Sequence, residues 1–213
     1  LKYSVSEIKR MSQAAEPEES YKPEPQKERL YPKFLKEKKE ASPASRGTAV
    51  HKVLELMDFS LDYTPELLEE QISRWSSEGK IEEGMEKLIP REDILAFLNS
   101  DLGLRIKKAA GRKEQYKEAQ FVMGVKFSEM EPEAKSRDYV VVQGIIDLYF
   151  KEEGELVLVD YKTDRIGPGE EEILAERYRA QLQYYKKALE QMEQKKVKEC
   201  YIYSIPLRKA ISL

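Results

Sequence analysis

Apolar residues recur along this chain with two different periods, and the change from one to the other divides it. In "SPASRGTAVHKVLELMDF" the residues Val50, Val53, Leu54 and Met57 fall at helical spacing behind Ser and Thr capping candidates, which predicts a helix carrying His51. Further helices are predicted at roughly residues 64–77, 81–88, 91–98 and 101–110, punctuated by Gly, Pro and an Asn-Ser pair. They form a helical insertion of about 60–112 with no evident chemistry. From Gln115 the period drops to two: "YKEAQFVMGVKF" reads as a strand, 130–138 as a polar turn, and 139–150 and 155–162 as two more strands. An amphipathic helix follows over 171–193 with Ile173, Leu174, Tyr178, Leu182, Tyr185 and Leu189 facing inward, and "VKECYIYSI" supplies the strand expected to close the sheet. At the other end, residues 1–10 suggest a short helix with Ser4 or Ser6 as N-cap, and 15–40, dense in Pro, Glu and Lys, a mobile linker or loop. The expectation is an α/β fold: a mixed central sheet flanked by helices over 41–213, preceded by an N-terminal helix and linker over 1–40.

Composition narrows the chemistry. A chain of 213 residues buries one substantial core, and with 36% charged residues and neither a membrane-length apolar run nor a signal-peptide core it is expected to be cytoplasmic. One cysteine, Cys200, excludes an intrachain disulfide, a cysteine-only zinc site and a four-cysteine iron-sulfur cluster. One histidine, His51, is all that imidazole chemistry has to draw on. A net charge of −3 argues against a basic coat while leaving room for a local positive groove. No G-x-x-x-x-G-K-[ST] sequence occurs, so no ATP site is expected.

The stretch "VVVQGIIDLYFKEEGELVLVDYKTD" places two aspartates, Asp147 and Asp160, in apolar strands around an acidic turn. A two-residue loop at Glu153-Gly154 pairs Glu152 with Glu155 and sets Asp147 opposite Asp160; a four-residue loop keeps that register, and a three-residue loop slips it. Opposed carboxylates, with Cβ atoms roughly 4.5–5.5 Å apart, destabilise a sheet unless something positive lies between them. Lys162, two residues beyond Asp160, projects from the same face and can serve as a structural counter-ion. The other candidate is a divalent cation: hard carboxylate oxygens suit Mg²⁺, with Lys162 then assisting the attacking water and the charge that builds on phosphorus.

"GIID" at 144–147 followed by "DYK" at 160–162 resembles the catalytic core of the PD-(D/E)XK nuclease superfamily, with Ile146 where the family has proline. Together with "RGTAVHKVLE", "QGIIDLYF", "LVDYKTDR" and "YRAQLQYYKKALE", in order over 46–205, the chain resembles the RecB-like branch, in particular the C-terminal nuclease domains of AddA-type subunits of AddAB helicase-nucleases.

That resemblance implies a restriction-endonuclease-like fold and a Mg²⁺-dependent deoxyribonuclease, for which Mn²⁺ is a plausible substitute since imidazole suits it better than it suits Mg²⁺. It implies metal ligation by His51, Asp147, Asp160 and the Tyr161 carbonyl, catalytic roles for Asp147, Asp160, Lys162 and Glu118, and DNA contacts from Gln181 and Tyr185. Arg165, Arg177, Arg179, Lys186 and Lys187 are candidates to line the groove. Implied partners are single-stranded DNA ends, an AddB-type subunit, and a helicase region from which this stretch is expected to be separated. By the same resemblance the intact enzyme unwinds broken ends and this domain cuts the strand ending 3′ for recombinational repair. The competing reading is a DNA-holding or subunit-docking module that keeps the fold and does not cut.

Overall fold

The computed structural model describes residues 2–5, 7–8, 43–130 and 138–213; the expected linker over 15–40 and most of the expected polar turn lie outside these. The described residues form a six-stranded mixed sheet. The strands are β1 (Lys2–Ser4), β2 (Gln115–Lys126), β3 (Tyr139–Glu152), β4 (Glu155–Lys162), β5 (Val197–Ser204) and β6 (Lys209–Ser212). The helices are α1 (Pro43–Leu56), α2 (Pro65–Ser77), α3 (Arg91–Leu98), α4 (Asp101–Gly111), the single turn α5 (Phe127–Met130) and the long α6 (Glu171–Glu193).

Local chemistry fixes many of these ends. Pro65 opens α2 behind Thr64, whose side chain accepts from the Leu67 N–H, and Ser100 caps α4 by accepting from Gly103 N–H, so the Asn-Ser pair is a cap. Glu153 and Gly154 both have positive φ (53° and 86°), as a two-residue type I′ hairpin requires. The turn sets the register: Glu152 pairs with Glu155 and the ladder runs to Leu148↔Val159.

Four expectations are corrected. The first residues form a short strand, β1, parallel to β3, and the expected helix is reduced to Val5, Glu7 and Ile8 after it, with Ser4 as the expected cap, its hydroxyl accepting from Glu7 N–H while the Glu7 carboxylate accepts from Ser4 N–H. The helix expected over 81–88 is a 3₁₀ turn at Met85–Leu88. "VKECYIYSI" does not close the sheet, because β6 pairs antiparallel to β5 outside it. Ile173 is 53% exposed rather than inward, although Leu174, Tyr178, Leu182, Tyr185 and Leu189 are buried as expected.

β3 organises the sheet. One edge pairs along its length with β2; the other is shared by β1, against Val141–Gln143, and β4, from Leu148 onward. Residues 144–147 therefore face a gap between β1 and β4. The inward-facing parity also changes there. Val140, Val142 and Ile146 pack in the core under α6, whereas Leu148 and Phe150 pack in the core under α1 and the helical insertion. β2 switches over the corresponding residues, with Tyr116, Ala119 and Phe121 all on the α6 side. The β2–β3 register keeps the same offset on both sides of the switch, which falls at Glu118 and Asp147. Glu118 has φ 49°, the left-handed conformation that lets a strand turn a side chain to the opposite face.

Candidate active site

Four elements bring the motif residues together. His51 lies on α1, Glu118 on β2, Asp147 on β3, and Asp160 with Lys162 at the end of β4. Gly47 brings α1 close to the end of β4: a Cβ there would lie 3.0 Å from Thr163 Oγ1, just past Lys162, so a side chain at 47 would press on Thr163.

Ligand atoms of His51, Glu118 and Asp147 lie within 4.8 Å of one another. His51 Nδ1 is 3.5 Å from Asp147 Oδ1, and Asp147 Oδ2 accepts a 2.9 Å hydrogen bond from the Tyr161 backbone N–H. Asp147 thus takes the place of the next ladder pair: β3 and β4 diverge just before Asp147 and Asp160 would meet. Asp160 is not in the three-residue cluster. It is 1% exposed, and its Oδ2 meets the Lys162 ammonium at 2.5 Å without a hydrogen bond of proper geometry among the described residues. The expected counter-ion contact is present, to Asp160.

Electrostatics separate the carboxyls. Burial lifts the Asp160 carboxyl above the usual range against the pull of Lys162, and the nearby Asp147 charge adds to the rise. Burial works the same way on Asp147, but the His51 hydrogen bond and charge outweigh it and hold that carboxyl low. His51 is raised in turn, Asp147 overcoming the burial that disfavours imidazolium. Glu118 is raised by burial and then by repulsion from Asp147.

This donor set fits a divalent cation. It offers one imidazole nitrogen and two carboxylates crowded to the point of repulsion, with the buried Asp160 carboxylate beside it, paired with the Lys162 ammonium. The Tyr161 side chain packs in the core against Phe97 and edge-on to His51.

Glu118 lies within β2. Gln181 and Tyr185 are both buried and bond each other, Gln181 Nε2 donating to Tyr185 Oη at 2.9 Å. Of the groove candidates, Arg177 pairs with Asp164, Arg179 with Glu176 and Glu172, and Lys187 with Glu129. Helical spacing places Tyr178 only in the buried stripe of α6, yet its ring lies 4.3 Å from Lys162 Nζ and its hydroxyl donates to Asp164 at 2.8 Å. The one sequence hint of this contact is that Asp164 follows Lys162 by two residues.

A mixed sheet whose central strands diverge around an acid cluster, with a lysine two residues past the buried aspartate, defines a divalent-metal nuclease core of the restriction-endonuclease type. The chain belongs to the PD-(D/E)XK nuclease superfamily, whose profile matches residues 26–210. It is 38% identical to the A-type subunit of an ATP-dependent helicase/nuclease of Lachnoclostridium phytofermentans over 85% of its length, and 37% identical to those of Clostridium beijerinckii and a Thermoanaerobacter species over 99% and 95%. It spans about one-sixth of these curated relatives, from 16% to 17%. No helix among the described residues is long and apolar enough to cross a membrane.

Proposed function

We propose that this chain hydrolyses DNA phosphodiester bonds as the nuclease region of an ATP-dependent helicase-nuclease, cutting single-stranded ends delivered by the helicase region of the same polypeptide. In this reading it works beside an AddB-type subunit in the cytoplasm, trimming the strand ending 3′ during recombinational repair. The observation that carries the reading is the convergence of His51, Glu118 and Asp147 where β3 and β4 diverge, beside the buried Asp160–Lys162 pair.

His51, Glu118, Asp147, Asp160 and the Tyr161 carbonyl would hold Mg²⁺, with Mn²⁺ an effective substitute through the imidazole nitrogen. Such an ion supplies positive charge that polarises the phosphoryl group and acidifies water. The remaining work falls to the chain. Asp147 holds the imidazole against itself and, through Tyr161 N–H, keeps the strands apart at the site. Lys162, held between Asp160 and the face of Tyr178, offers its ammonium to the water and to the negative charge that grows on phosphorus. Tyr185 lines a groove of about 490 Å³ with Phe121, Gln143, Gly144 and Ile145, which gives a strand access to it, while Gln181 orients its hydroxyl.

The experiment is cleavage of labelled single-stranded DNA by the full chain in EDTA, Mg²⁺ or Mn²⁺, beside Asp160→Ala. Metal-dependent cutting that disappears in the variant is expected. DNA binding with no cutting under any of these conditions would replace this reading with that of a holding module.

A further inference from the structure

We infer that Lys117 is a positioning residue for the acid cluster, clamping the His51 helix to β2 so that Glu118 is turned toward His51; the inference rests on the metal-site reading above. Lys117 Nζ donates to two carbonyls at the end of α1, Glu55 O at 2.6 Å and Met57 O at 2.5 Å, and lies 5.5 Å from the centre of the Phe59 ring. Glu55 O belongs to the last turn of α1 and Met57 O to the residue that follows the helix, and a cation at a helix C-terminus is also favoured by the helix dipole. Glu55 follows His51 by four residues, so the grip is one helical turn from the imidazole and along the same face.

Consecutive strand side chains alternate faces. Lys117 and Glu118 nevertheless both reach α1, one to its terminal carbonyls and the other into the cluster with His51. The positive φ at Glu118 reconciles the two. A left-handed conformation at a glutamate costs about 1–3 kcal/mol and persists only where its surroundings over-determine it. Its flanks on the sheet are fixed, because Lys117 pairs with Leu148 and Ala119 with Ile146, with Glu118 and Asp147 opposed between them. On the helix side Val50, Val53 and Leu54 pack α1 into the core, and Lys117 adds a polar tie from β2 to its C-terminal end. Without that tie the end of α1 beside Glu118 is held by apolar packing alone, and the carboxylate is freer to relax toward the ordinary strand conformation on the other face.

The test is calorimetric Mn²⁺ binding to the full chain, comparing wild type, Lys117→Met, Lys117→Arg, Glu118→Gln and Lys117→Met/Glu118→Gln, with thermal melting as a check of folding. Outer-shell changes of this kind weaken metal binding by roughly 10–100-fold. Lys117→Met is expected to show such a loss, Lys117→Arg to recover most of it, and the double variant to bind no more weakly than Glu118→Gln alone. A merely structural lysine would give losses that add in the double variant, and that outcome overturns the inference, as does wild-type affinity in Lys117→Met. If Lys117→Met does not fold, Lys117→Gln, too short to reach both carbonyls, replaces it with the same two outcomes. The metal-site reading is judged separately by Asp147→Ala: Mn²⁺ affinity unchanged there, or absent from the wild type, removes that reading and this inference with it.

Discussion

His51 Nδ1 lies 3.5 Å from Asp147 Oδ1, which joins a helix residue to a strand residue 96 positions away and makes the imidazole a member of an acid cluster. A nitrogen donor in a carboxylate set favours Mn²⁺ over Mg²⁺ more than an all-oxygen set does. His51→Ala is therefore expected to lower Mn²⁺ affinity at least about tenfold and Mg²⁺ affinity by less, narrowing the preference between the two ions. Calorimetric titration with each ion checks this; an equal loss for both would place His51 outside the ligand set.

The Asp160–Lys162 pair separates stability from activity. Removing one partner of a buried ion pair leaves an uncompensated charge and costs about 3–5 kcal/mol, whereas neutralising both is far less damaging. Lys162→Met is expected to destabilise the fold toward that range, lessened by protonation of Asp160, whose carboxyl is already raised. Asp160→Asn/Lys162→Met should recover most of the stability and none of the cleavage. Urea denaturation beside a DNA cleavage assay reads both; recovered cutting in the double variant would remove these residues from the chemistry.

Gly144 has no room for a side chain. A Cβ there would lie 2.8 Å from the Phe121 ring and 3.2 Å from Tyr185 Cε1, and these two rings pack edge to face. Gly144→Val is expected to push the aromatic pair apart, cost about 1–3 kcal/mol, and disturb the Gln181–Tyr185 hydrogen bond. Thermal melting gives the first effect. A change in single-strand affinity larger than in a Phe121→Leu control would show that the groove is used.

Arg105 on α4 docks the helical insertion onto the sheet, meeting Glu152 at 2.6 Å and Glu199 at 2.7 Å. Both carboxyls are held below their ordinary value of 4.5, first of all by the Arg105 hydrogen bonds. A carboxyl lowered by folding contributes stability above its unfolded value and loses it as pH falls through its folded one, so the bridge is complete above about pH 4.5 and is lost on further acidification. Arg105→Met is expected to cost about 1–3 kcal/mol near neutrality and to flatten the fall in stability below about pH 4.5. Urea denaturation from about pH 7 down to about pH 3 measures both effects; parallel profiles for variant and wild type would show that the bridge contributes nothing.

Most element boundaries were legible in the sequence because they rest on local rules, whereas the candidate site residues were named through the order of motifs that resembles a nuclease family. Glu153-Gly154 has the composition of a two-residue hairpin, and that turn alone dictates the β3–β4 offset as far as Leu148↔Val159. The apolar spacing in 171–193 likewise marks α6, except that Ile173 is exposed while Leu174 and Ala175 beside it are buried. β1 was not legible, since three residues carry no period and the strand exists only by lying along β3.

What the sequence by itself determined is the set of chemical groups, the elements that carry them and the register that brings Asp147 toward Asp160. Tertiary structure decided how those groups are aimed. The hairpin register predicts that β3 and β4 stay paired, and alternation along a strand predicts that Glu118 faces away from its neighbour's side. Instead the Asp147 carboxylate takes the Tyr161 N–H, the strands diverge, and Glu118 turns through a left-handed conformation beside a helix held by Lys117. Each of these depends on a partner far along the chain, whose contact energy offsets a locally unfavourable conformation, and no window of neighbouring residues contains that partner.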